Sequence, residues 1–223
     1  MLSNNVVIEW KIIIPTLICI ILIVIVRWIM LNKKIANIAR QYMASNYQEI
    51  LPKAIKLQNS YGQTLFTKNR NVRGVYDEMS FIISTIYLHE NNGKEFLKYI
   101  NEIGGKDKQY IKFFWLYVYY LINNDSESAL TNYDLLNKLP DVPEMTRIAA
   151  DALLADYNGN TEEAVKLCGQ WMDKDIPKNP ILKEILLNRI GDGTQKTGDG
   201  SLSPSNSYVF DKDTYRNLYS GDK

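Results

Sequence analysis

Few residues in this chain have the types and spacing that catalysis needs. His89 is the sole histidine. It stands at the polar end of an apolar run, the place of a solvated helix-end residue rather than a catalyst. Zinc takes four protein ligands, or three and a water, and no Cys/His cluster supplies them. Glu162 and Glu163 are adjacent, so they point to different faces and suit a helix start better than an acid–base pair. Gly191-Asp192-Gly193 and Gly198-Asp199-Gly200 lack the ligand spacing of a calcium loop and read as flexible linker. There is no P-loop, no G-x-G-x-x-G and no G-x-S-x-G. The expectation is a non-enzyme with no cofactor and no metal. What remains is binding chemistry, carried by aromatic side chains. Tyr110, Tyr117 and Tyr120 lie in or beside one apolar run, and Tyr208, Phe210 and Tyr215 lie near the C-terminal end. These six are the candidate contacts for a protein or peptide partner. Core packing is the alternative for the first three, and an unconstrained tail for the last three.

The element that places these residues is Trp10 to Leu31, WKIIIPTLICIILIVIVRWIML. It reads as a transmembrane helix. The uncharged core, Ile12 to Val26, is short for a span of about 20 residues, but Lys11 and Arg27 can snorkel. Trp10 and Trp28 are separated by about 27 Å at 1.5 Å per residue, which suits two interfacial belts. Pro15 is expected near the first turn, where a missing N–H costs little. A cleaved signal peptide would want a basic start and a small-x-small site; Glu9 and the Lys33-Lys34 pair fit neither. A buried core helix rarely carries Ile, Leu and Val on every face.

Lys11 alone precedes the span, whereas Arg27, Lys33, Lys34 and Arg40 follow it. Basic flanks stay in the cytoplasm, so the C-terminal part is expected there, at the cell membrane. Net charge is +1, which argues against a nucleic-acid binder. From Lys33 to Arg73 the only acid is Glu49, whereas acids outnumber bases from Gly74 to Ile190. The bilayer is therefore an expected partner, since basic groups beside an anionic leaflet gain roughly 1 kcal/mol each. Cys19 in the span and Cys168 beyond it cannot pair within one chain, which suits a reducing compartment.

Residues 32–190 repeat a local pattern: Ser45-Asn46…Glu49-Ile50, Asn91-Asn92…Glu95-Phe96, Asn124-Asp125…Ser128-Ala129 and Gly159-Asn160…Glu163-Ala164. The Asn or Asp can cap a helix, and the Glu can reach back in a capping box. The intervals Ile50–Phe96, Phe96–Ala129 and Ala129–Ala164 are 46, 33 and 35 residues. A polar insertion from Gln63 to Gly74 accounts for the long first interval, with Val75 opening the next helix. Met79–Leu88 and Phe113–Ile122 read as first helices of pairs, the latter apolar on nearly all faces. Breaks are expected at Gly104-Gly105, Pro140, Pro143 and Pro177. Asn179-Pro180 should start a last helix, Ile181–Ile190, that caps the end.

This pattern resembles the tetratricopeptide-repeat family, whose helix-turn-helix units run 34 residues. The best segment is Met145 to Pro177, with Ala152 and Ala164 at the family's small positions. Tyr117, Trp171 and Pro52 depart from the family's pattern. A generic array of helical hairpins is the alternative fold, and the first copy alternatively reads as one juxtamembrane helix from Lys34. The expected fold class is all-α: a short tail (1–9), a transmembrane helix (10–31), an α-solenoid of TPR-like hairpins (32–190) and a disordered tail (191–223). The resemblance implies a membrane-anchored scaffold or adaptor that binds protein or peptide partners. The alternative function is an accessory factor for secretion or envelope assembly, with the repeats on the outer side.

Overall fold

The computed structural model describes residues 3–62, 70–174 and 179–191. Among the described residues the chain is all-helical, with no strand. It divides between Gln41 and Tyr42 into two compact units.

The first unit is most of α1 (Ser3–Met43), a helix of 41 residues. The mean hydropathy of its apolar part reaches 2.7, and its large side chains from Ile13 to Met30 are exposed on every face. One N-terminal helix is thus long and apolar enough to cross a membrane. Pro15 lies inside it rather than near its first turn, because the helix begins at Ser3. Proline has no N–H, so the carbonyl four residues back, at Lys11, loses its helical donor. That carbonyl sits at the polar edge of the apolar run, where water can replace the donor.

The second unit holds α2 (Tyr47–Gly62), α3 (Arg70–His89), α4 (Gly93–Asn101), α5 (Gln109–Ile122), α6 (Ser126–Asn137), α7 (Glu144–Tyr157), α8 (Thr161–Asp173) and α9 (Pro180–Arg189). A 3-10 turn, Lys106–Lys108, precedes α5. Helices pack mainly as neighbours in pairs: α3 with α4, α5 with α6, α7 with α8. Between pairs, α3 meets α5 and α5 meets α7. The apolar run becomes α5, the centre of the core, with Phe114, Trp115, Leu116, Tyr117, Val118, Leu121 and Ile122 all buried. Helix α3 starts at Arg70, five residues before the expected Val75. An Arg73–Asp77 ion pair one turn apart, 2.9 Å long, supports the added turn. The proposed disordered tail, apart from Gly191, and Pro177 lie outside the described residues.

Three hairpins are closed by the same turn. Asn91, Asn124 and Gly159 adopt left-handed backbone at φ 58°, 58° and 75°. The next residue, Asn92, Asp125 or Asn160, donates its N–H five residues back, to Tyr87, Tyr120 or Ala155, at 2.8–2.9 Å. The left-handed residue donates three residues back, to Leu88, Leu121 or Asp156. This pair of bonds is the Schellman ending. The same Asn or Asp then accepts the N–H of Glu95, Ser128 or Glu163 on its side chain and so opens the following helix. One residue therefore ends one helix and starts the next.

The expected capping box is only half formed, and the turn explains why. A reaching Glu would need the cap residue's N–H, which the preceding helix already holds. Glu95 and Glu163 pair instead with Lys98 and Lys166, at 2.9 and 3.3 Å. Four residues beyond each cap the side chain is buried: Phe96, Ala129 and Ala164. Ser45 is also left-handed, at φ 59°, and Ile50, four residues beyond Asn46, is buried too.

A buried polar cluster locks α2, α3 and the end of α4. The Asp77 carboxylate, 3% exposed, accepts the N–H groups of Gly104 and Gly105 at 3.2 and 2.9 Å and pairs with Arg73, which also donates to the Glu102 carbonyl. The Glu102 carboxylate accepts from Tyr76 at 2.6 Å and from Gln58 at 2.8 Å. Gln58 also donates to Ser80. A Cβ at residue 105 would stand 2.6 Å from Asp77 Oδ2, so glycine is needed for this approach.

Four stability outcomes follow for the full chain in detergent micelles, read by urea unfolding. Asp77→Ala strands two amides and a guanidinium and should cost about 2–4 kcal/mol, from about 1–3 per unsatisfied buried polar group. Asp125→Ala should cost about 1 kcal/mol as a lost cap, and Asn124→Ala about 1–2 kcal/mol, the strain of left-handed backbone on a residue with no local hydrogen bond to offset it. Asn124→Gly should be near neutral; a loss as large as that of Asn124→Ala would sink the turn argument.

Candidate functional site

The first helices α3, α5 and α7 share a face, and α9 lies on it. Aromatic rings step across this face: Tyr42 to Phe81 at 6.3 Å, Phe81 to Trp115 at 6.1 Å and Trp115 to Phe114 at 5.7 Å. Such offset and edge contacts add roughly 0.5–1.5 kcal/mol each beyond area burial.

Helix α9 turns Ile181, Leu182, Ile185 and Leu186 inward, where all are buried, and leaves Lys183 and Glu184 exposed. Its packing partners are α3 and α7. Three polar ties hold it. At its start Asn179 accepts the Leu182 N–H at 3.0 Å and donates to the Tyr42 hydroxyl at 2.7 Å. Thr85 Oγ1 uses its one proton on the Phe81 and Ile82 carbonyls, so the Tyr42 hydroxyl donates to Thr85, at 2.9 Å. One proton chain thus runs from the cap of α9 into α3. Midway, Glu184 lies 3.4 Å from His89 Nε2. At its end, Arg189 reaches Asp156 Oδ2 of α7 through Nε at 2.9 Å and Nη2 at 2.8 Å.

The expectation that α9 caps the open end of the array is corrected by these contacts. It crosses the first helices from Tyr42 to Asp156. Its aliphatic face is buried there, and two of its three charges, Glu184 and Arg189, find partners.

The sequence-derived candidates fare unequally. Tyr117 is withdrawn: it is fully buried, its hydroxyl donates to the Ala150 carbonyl at 3.2 Å, and its ring packs 5.4 Å from Tyr133. A partner has no access to it. Tyr110 and Tyr120 are half-buried on α5, about 15 Å apart along its axis at 1.5 Å per residue. Tyr120 packs edge-on against Tyr119 at 5.2 Å, and the two candidates form no cluster with each other. Tyr208, Phe210 and Tyr215 lie outside the described residues.

His89 is the last residue of α3, with its ring 4.9 Å from Tyr47. Cys168 is buried and Cys19 exposed, and neither is in a disulfide. Among the described residues no group of three His, Cys, Asp or Glu side chains stands where a metal could be shared. A shallow depression on α2, lined by Pro52, Ile55, Lys56, Asn59 and Ser60, is formed by one helix face. The residues that the sequence did not single out are Tyr42, Thr85, Asp156 and Arg189, and it read Asn179 only as the start of the last helix. Only Asn179 left a local signal, as a cap before Pro180.

No protein-family model matches this chain, and it matches no curated protein and no solved structure.

Burial, and then the neighbouring Tyr133, hold the Tyr117 hydroxyl proton well above the ordinary tyrosine value of 10.0. The folded state therefore favours the neutral ring. That stability is fully present below pH 10 and is lost as pH climbs above it. Raising the pH from 9 to 11 should lower the unfolding midpoint, and Tyr117→Phe should flatten the fall while costing about 1 kcal/mol at pH 7 for the lost hydrogen bond. An equally steep fall in the variant would assign the effect elsewhere.

Proposed function

We propose that this protein is a membrane-anchored scaffold or adaptor of the tetratricopeptide-like kind. In this reading α1 crosses the bilayer once. Residues 32–190 stack as a short α-solenoid of helical hairpins on the cytoplasmic side. The face shared by α3, α5 and α7 is the inner surface that takes a helical segment of a partner protein.

The observation that carries the reading is the threefold recurrence of one fused turn, with caps at Asn92, Asp125 and Asn160 spaced by 33 and 35 residues. The first helices it joins contact one another in sequence order. Such units cannot bury an apolar face alone and gain a core by stacking. An inner face that accommodates an amphipathic helix is the helix-in-groove mode of recognition, and α9 occupies it in that manner. The excess of Lys and Arg after the span supports the cytoplasmic side.

The test has two arms. Fused to a reporter active only in the cytoplasm, Lys223 should give full signal, and removing residues 1–31 should shift the protein from the membrane to the soluble fraction. A silent reporter would overturn the orientation. A photo-crosslinking residue in place of Phe81, half-buried on the inner face, should give an adduct of one defined mass in native membranes, and one in place of Leu130, exposed on α6, should give none. Equal labelling at both positions would overturn the assignment of the binding face.

A further inference from the structure

We propose that α9 is an exchangeable occupant of the inner face, and that a partner helix binds there by displacing it. The inference rests on the adaptor reading above and adds the regulation of its site and the chemistry of the segment it takes.

Helix α9 does not behave as another member of the array. The three hairpin turns end their first helix on left-handed backbone and open the next helix one residue later. Helix α8 instead ends at Lys174 in extended backbone, φ −67° and ψ 127°, and α9 starts again from its own cap at Asn179. It crosses the first helices rather than pairing as their second helix. Its apolar contact is one face of a ten-residue helix, and isolated helices of that length are marginal in water.

Two of its three polar ties are reached by solvent, whereas the Asn179–Tyr42 bond at its start is part-buried. His89 and Glu184 are 36% and 45% exposed, and Arg189 and Asp156 are 25% and 23% exposed. Ion pairs of this kind contribute little to stability and form and break readily. The cluster around Asp77 is the contrast within the same fold: its carboxylate is shut away from water and takes two amides and a guanidinium. The fold is thus locked by buried polar bonds in one place and latched by open ones in another.

The contacts of α9 also describe the helix that would replace it. The competitor carries aliphatic residues at i, i+1, i+4 and i+5, as do Ile181, Leu182, Ile185 and Leu186. It carries an acid at i+3, where Glu184 meets His89, and a base at i+8, where Arg189 meets Asp156. A partner segment with this pattern presents the same aliphatic face to α3 and α7 as α9 does. Because α9 is tethered, it competes at high effective concentration. A free peptide therefore binds weakly until the latch is loosened.

The experiment uses the full chain in nanodiscs and a fluorescein-labelled synthetic peptide of residues 179–191, followed by anisotropy. The latch variant is Glu184→Lys with Arg189→Glu. The peptide should bind the latch variant at least 10-fold more tightly than the unaltered chain. The same peptide carrying Leu182→Asp and Ile185→Asp should bind neither. Equal binding to the two chains would overturn the proposal.

Hydrogen exchange on the unaltered chain decides the matter even where the variant loses its helical signal. The α9 amides should exchange at least 100-fold faster than those of α5. Equal protection would make α9 a permanent part of the core and overturn the proposal. Neither readout uses a cellular partner. Failure here leaves the crosslinking at Phe81 to judge the adaptor reading, and failure there leaves these two measurements standing.

Discussion

An α-helix leaves amides unpaired at its start and carbonyls unpaired at its end. A chain of short helices meets this difficulty at every bend, and here one two-residue turn resolves it three times. In each copy the second residue gives its N–H to the finishing helix and its side-chain oxygen to the starting one. The turn has no slack, so the direction of the second helix follows from the end of the first. The side chain four residues on, Phe96, Ala129 or Ala164, is buried one turn after the bend. In this way α4 packs back on α3, α6 on α5 and α8 on α7.

What was legible in the sequence was local. The caps, the apolar span, the core character of α5 and the start of α9 at Asn179-Pro180 all depend on residues within a few positions of one another. The left-handed residue before each cap was harder to read, because Ser45, Asn91 and Asn124 tolerate that backbone without advertising it, and only Gly159 does so openly. Glu95 and Glu163 looked like box partners because their spacing was right. Their amide was already taken by a bond from the helix before, which residue spacing does not display. Tyr117 looked available because aromatic residues serve surfaces and cores alike; its burial is decided by α7, 33 residues away.

The long-range features were not legible at all. Asp77 is an ordinary acid on an amphipathic helix until the backbone of Gly104 and Gly105 arrives 27 and 28 residues later. The two glycines announced a break; the closer purpose of Gly105 is to let the Asp77 carboxylate approach, and that of Gly104 to leave room for the Arg73 guanidinium. The destination of α9 was equally hidden. A helix with four inward aliphatic residues fits any apolar face. The contacts that choose this one, Tyr42, His89 and Asp156, come from three different helices.

The bond between Asn179 and Tyr42 spans 137 positions, and proteins are made from the N-terminus onward. At about 5–20 residues per second, roughly 7–27 s separate the synthesis of the two ends of that bond. Through that interval the hairpins can close, since each needs only residues nearby. The aromatic surface of their first helices stays bare until the last helix has left the ribosome. A nascent chain of this protein therefore carries that surface without its α9 cover until residues 180–189 are made.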